Sequence, residues 1–86
     1  MASIEEVRAG IDAAKEKASE SLGALQQAQS ALEEAQAQMQ QVTEGSGQAD
    51  VSEANAMLAQ AVTSITEVQQ NVQAAIEASE NVAARL

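Results

Sequence analysis

The chain predicts an all-α fold, an antiparallel two-helix coiled-coil hairpin, on three observations. Apolar residues recur at alternating spacings of three and four through both halves of its 86 residues. Ala and Gln, the commonest residues at 20 and 12 copies, favour helix, and there is no Pro. A single glycine-bearing break, Gly45–Ser46–Gly47, divides the two halves.

The first helix is expected over about residues 4–43. Its seam runs Ile4, Val7, Ile11, Ala14, Ala18, Ser21, Leu25, Ala28, Leu32, Ala35, Met39 and Val42, with Ser21 the only polar member. Ser3 followed by Glu6 has the form of a capping box, which satisfies orphan N–H groups at a helix start. Gly10 and Gly23 lie inside this helix but off its seam, at a cost of about 1 kcal/mol each relative to Ala. The turn is expected over about 44–50. The second helix is expected over about 51–86, with Asp50 and Glu53 as the acidic analogue of the capping box. Its seam runs Val51, Ala54, Leu58, Ala61, Ile65, Val68, Val72, Ala75, Ser79, Val82 and Leu86.

So short a connection folds the second helix back along the first, making residues 1–86 one domain. A turn centred near Ser46–Gly47 sets facing positions whose numbers sum to 93, such as Leu32 with Ala61 and Leu25 with Val68. From Met39 to Ser21 most layers then oppose a large side chain to Ala or Ser, which keeps the layer volume near constant. The bulk of this seam is Ile11, Leu25, Leu32, Met39, Leu58, Ile65, Val68, Val72 and Val82. Leu22, Val62 and Ile76 form a second apolar strip just off it, interrupted by Gln29 and Gln69. This strip either closes the edge of the seam or faces another chain. A seam so rich in Ala buries little area, while each ordered residue costs about 1.5 kcal/mol. That balance favours a partner-binding flank at Leu22, Val62 and Ile76, and pairing of two hairpins into a four-helix bundle.

Composition closes off most chemistry. With no Cys and no His there is no disulfide, no zinc, haem or iron–sulfur site of the usual kind, and no His-based triad or Cys nucleophile. The Glu5–Glu6 and Glu33–Glu34 neighbours diverge on a helix and make no acid/base pair. Gly45–Ser46–Gly47 lacks the following Lys of a phosphate loop, and the nearby acids do not have calcium-hand spacing. No catalytic, cofactor-binding or metal residue, and no small-molecule ligand, is therefore expected. Thirteen acidic residues against four basic give a formal charge of −9, which argues against nucleic acid and anionic membrane surfaces. No stretch approaches the roughly 18 apolar residues of a membrane span. The opening Met1-Ala-Ser-Ile4 runs into Glu5–Glu6, unlike a secretory signal, so the expected location is cytoplasmic, with signal-independent export open.

All four cations, Arg8, Lys15, Lys17 and Arg85, fall at the open end of the hairpin, where Lys15 and Lys17 come near Glu77 and Glu80. Toward the turn, Glu33, Glu34, Glu44, Asp50 and Glu53 have no cation nearby. Surface ion pairing that supports register explains the first group, and a solvated acidic surface the second.

Length, hairpin and the Gly45–Ser46–Gly47 midpoint together resemble the WXG100 (ESX-type) proteins of type VII secretion. The midpoint has no Trp, and the tail Val82-Ala-Ala-Arg-Leu86 has no Tyr followed by an acid. No residue of that family's secretion signal is therefore carried over. The opening Ser3-Ile-Glu-Glu-Val-Arg-Ala-Gly-Ile11, the Glu44-Gly-Ser-Gly-Gln48 turn and the Ala83-Ala-Arg-Leu86 end are also similar to actinobacterial helical segments, which occur alone or precede polymorphic toxin domains. The resemblance implies a hairpin that pairs as a homodimer or heterodimer and acts as adaptor or escort for an exported partner. A coiled-coil scaffold that homo-oligomerises without cargo is the alternative, followed by a regulator that sequesters a basic partner.

Overall fold

The computed structural model describes residues 2–44 and 49–86, apart from the side chains of Thr43, Ala49 and Asp50. The turn residues Gly45, Ser46 and Gly47 lie outside the described residues. Helix α1 spans Ile4–Thr43 and helix α2 spans Ala49–Ala84. The two pack along one another as an all-α hairpin, with no strand among the described residues.

Helix α1 starts where its cap places it. Ser3 has extended backbone (φ −71°, ψ 164°), and its Oγ accepts a hydrogen bond from the Glu6 N–H at 3.1 Å. The Ser3 carbonyl accepts the first helical bond, from the Val7 N–H at 3.0 Å. Glu5 and Glu6 in the first turn oppose the positive end of the helix dipole. Helix α2 begins at Ala49, two residues before the expected start, so Asp50 is inside the helix and is not its cap. Ala49 is a strong helix former, and extension by two residues outweighs the cap at Asp50. Its end closes two residues early, where the Arg85 and Leu86 N–H groups donate to the Val82 and Ala83 carbonyls at 3.1 and 3.2 Å. These bonds tighten the last turn in the manner of a 3₁₀-helix.

A 40-residue helix is about 60 Å long at 1.5 Å per residue. The molecule measures 64 × 18 × 15 Å accordingly. Its radius of gyration of 19.4 Å far exceeds the roughly 12 Å of a compact domain this long. No described residue is fully buried. Two helices meet along one line, and each side chain on that line keeps an edge in water. The fold therefore has a seam in place of a core.

Candidate functional site: an open apolar flank

The seam takes in a further column of each helix beside those that apolar spacing selects, of which Val7, Ala28, Ala35, Val51, Ala54 and Ala61 stay half-buried. Along α1 the half-buried positions include Ile11, Lys15, Ala18, Leu22, Leu25, Gln29, Leu32, Gln36 and Met39. Along α2 they include Asn55, Leu58, Val62, Gln69, Ile65, Val72, Ile76, Ser79 and Ala83. Matched in antiparallel order, these positions pair with numbers that sum to 94: Ile11 with Ala83, Leu22 with Val72, Leu32 with Val62. The ion pair of Lys15 Nζ with Glu80 Oε1 at 3.6 Å ties the helices one residue from that register.

Of the expected seam residues, Ile11, Leu25, Leu32, Met39, Leu58, Ile65 and Val72 are half-buried as anticipated. Val68 and Val82 are not; they are 44% and 39% exposed. Leu22, Val62 and Ile76 are half-buried, which fits the reading in which this strip closes the edge of the seam. Volume explains the exchange. Turning each helix slightly brings Leu22 and Ile76 inward in place of Ser21 and Ala75, and Val62 inward beside Ala61, and a fully buried Leu, Ile or Val contributes about 1.5–3 kcal/mol. Gln29, Gln36 and Gln69 come inward in the same columns. Their methylene stems lie over apolar neighbours while the amides reach water. Asn55 Oδ1 is buried without a hydrogen-bond partner, a cost of the same rotation.

This rotation leaves a flank only partly covered: in its two columns Val7, Ala28, Ala35, Ala54 and Ala61 are half-buried and the other members are exposed. With α1 and α2 antiparallel and the seam fixed, helical geometry puts one heptad column of each helix on the same side of the hairpin. The α1 column is Val7, Ala14, Ser21, Ala28, Ala35 and Val42. The α2 column is Ala54, Ala61, Val68, Ala75 and Val82. Neither contains a charge. Val42 is 81% exposed, and Ala14, Ser21 and Ala75 are exposed beside Val68 and Val82. Ser21, the one polar member, donates its hydroxyl to the Ala18 carbonyl at 2.6 Å and so makes no demand on water.

The other side of the hairpin is polar apart from Ala59. Glu5, Asp12, Ser19, Gln26 and Glu33 line its α1 column, and Ser52, Thr66, Gln73 and Glu80 its α2 column. There Arg8, Asp12, Lys15 and Glu80 surround a shallow groove with Ala83 and Ala84. Thr66 returns its hydroxyl to the Val62 carbonyl at 3.2 Å. The exposed Lys17–Glu20 pair, at 3.4 Å, is local to one turn of α1. Lys17 lies at the outer edge of the apolar side, as does Arg85; the rows bordering the flank hold no acidic side chain among the described ones.

No helix among the described residues is long and apolar enough to cross a membrane. The chain matches no family model, no curated protein and no solved structure.

Proposed function

We propose that this protein is a non-enzymatic interaction module whose open flank pairs with another helical hairpin. One observation carries the reading: a charge-free column of Ala and Val, with Ser21 its one polar member, runs along each helix on the same side, in a molecule with no fully buried residue among the described ones. Each helix thus carries this charge-free column beside the two it turns to its neighbour, one of which is mixed, with Lys15, Gln29 and Gln36 in α1 and Asn55 and Gln69 in α2. The WXG100 resemblance supports an escort or adaptor role in type VII-like secretion, or for a toxin partner, with export that bypasses a signal peptide from a cytoplasmic pool. A coiled-coil spacer without cargo is the second reading, favoured by the 64 Å length of the rod.

The test is absolute mass by light scattering across a dilution series, together with affinity capture from an actinobacterial host that has a type VII apparatus. The module reading expects a mass of at least two chains, or recovery of a specific helical protein. A fully helical monomer that captures nothing at any concentration refutes it. Appearance of the chain in the culture medium only when that apparatus is intact supports the escort role, and retention in the cell supports the spacer. Detection needs refractive index, since a chain without Trp or Tyr barely absorbs near 280 nm.

A further inference from the structure

We infer that the turn half of the flank receives a single amphipathic helix of another protein, one whose apolar face is edged on both sides by Lys or Arg. The inference rests on the interaction-module reading and adds the chemistry of the partner helix and its place on the rod.

Shape makes the first argument. Toward the turn the two flank columns form a groove. Ala28 and Ala35 of α1 and Ala54 and Ala61 of α2 are half-buried and make its floor, all of them small. Its apolar rims stand clear of that floor. Val42 ends the α1 column and is 81% exposed; Met57 stands in the row outside the α2 column and is 64% exposed. These are the two most exposed of the large apolar side chains described. A floor of Ala lets a helix axis approach at the near end of the usual 8–10 Å range. From Ala28 to Val42 the groove runs about 21 Å at 1.5 Å per residue, the length of about four helical turns. A helix docked in such a groove anchors itself by apolar side chains at i, i+3, i+4 and i+7.

Charge names the occupant. Residues 24–69 carry six acids and no cation. Three of the acids, all exposed, lie one row beyond the borders of the groove: Glu34 along its α1 edge, Glu53 and Glu67 along its α2 edge. Every cation of the chain is at the open end, so these carboxylates face none of them. Lys or Arg on either edge of a docked apolar face reaches them, with the stems lying over the rims. The border rows also mark where such a helix stops, because Lys17 and Arg85 occupy them in the open half and repel a basic partner. No 14-residue stretch of this chain carries a net positive charge, so the occupant is a different protein and not a second copy.

The probe is a fluorescein-labelled synthetic helix of about 18 residues, with Leu at the i, i+3, i+4 and i+7 positions and Lys along both edges. Its control carries Glu in place of every Lys. Titrated against the full chain and followed by fluorescence anisotropy, the Lys peptide should bind one to one and the Glu peptide should not. Val42→Gln with Met57→Gln exchanges exposed apolar side chains for neutral polar ones and should weaken binding about tenfold or more. Ile4→Gln with Leu86→Gln, at the open end, should leave it unchanged. Glu53→Gln with Glu67→Gln should weaken it about tenfold and flatten its salt dependence. Amide shifts on titration should concentrate in residues 28–42 and 54–68. Equal affinity for the Val42→Gln, Met57→Gln chain overturns the inference, since the −9 charge alone would then be attracting the peptide. So does tight binding of the Glu peptide, or a set of shifts confined to the open end. A chain that ignores the Lys peptide yet has a mass of two chains or captures a helical protein loses this occupant and keeps the module reading. A monomer that ignores the peptide and captures nothing removes both.

Discussion

Leu22 distinguishes the inner seam from the outer flank more sharply than any other side chain. Replacing Leu22 by Ala deletes three carbons from a half-buried side chain. At about 0.8 kcal/mol per buried methylene the full loss is about 2.4 kcal/mol, and partial exposure reduces it to about 1.7 kcal/mol. Solvent fills the space, so no cavity is added, and the better helix propensity of Ala returns about 0.2 kcal/mol. The net cost is about 1.5 kcal/mol, a fall in Tm of roughly 6–12 °C for a chain of this size. Val68→Ala behaves differently. Val68 is 44% exposed, so loss of two carbons costs about 0.9 kcal/mol, of which about 0.6 is returned by helix propensity. Urea or thermal unfolding followed by circular dichroism, at a dilution where the mass is one chain, measures both. If Leu22→Ala proves no more destabilising than Val68→Ala, then Leu22 does not face α2 and the 94 register is wrong.

Four further outcomes are expected. Gly10→Ala and Gly23→Ala should each stabilise the monomer by about 1 kcal/mol, because nothing lies within 4 Å of either added Cβ; a loss of helicity on thermal melting would reveal a neighbour at these sites. Ser3→Ala removes the acceptor of the Glu6 N–H and should cost about 1 kcal/mol, visible as faster amide exchange at Glu6 than in the unaltered chain. The Lys15–Glu80 pair, with side chains 30% and 53% exposed, should show a double-mutant coupling below about 1 kcal/mol; a coupling that survives molar salt would contradict its surface character. Asn55→Leu removes the unpartnered Oδ1 and should raise stability by about 1–3 kcal/mol, and a drop in the urea midpoint would show that Asn55 is satisfied in solution.

The helices themselves were legible because their signals are local. Ser3 and Glu6 mark the start of α1 on the same residues that form the cap, and α1 matches its expected span. Asp50 misled for the same local reason, since its form as a cap did not reveal that Ala49 would continue the helix. The rotation of each helix about its axis was the part spacing could not settle. Three adjacent columns of α1 carry apolar residues, a two-helix contact admits two of them, and spacing favours the purer column through Ala14, Ser21 and Ala28. Packing weighs volume instead, and Leu22 outweighs Ser21 even though Gln29 and Gln36 share its column. The flank emerged only from that choice, because it is what remains of the purest columns after Leu22, Val62 and Ile76 turn inward.

The single line of contact also governs how the molecule comes apart. Residue i of α1 meets only its antiparallel counterpart and the neighbouring turns, so no layer is held by a distant one. A load applied at the two termini falls first on the Ile11–Ala83 layer and the Lys15–Glu80 tie, then on each layer inward. Such a rod opens like a zipper, in small successive steps, where a globular domain of the same length resists until it fails at once. A helical partner docked along the rod would bridge many layers and convert that stepwise opening into a single event.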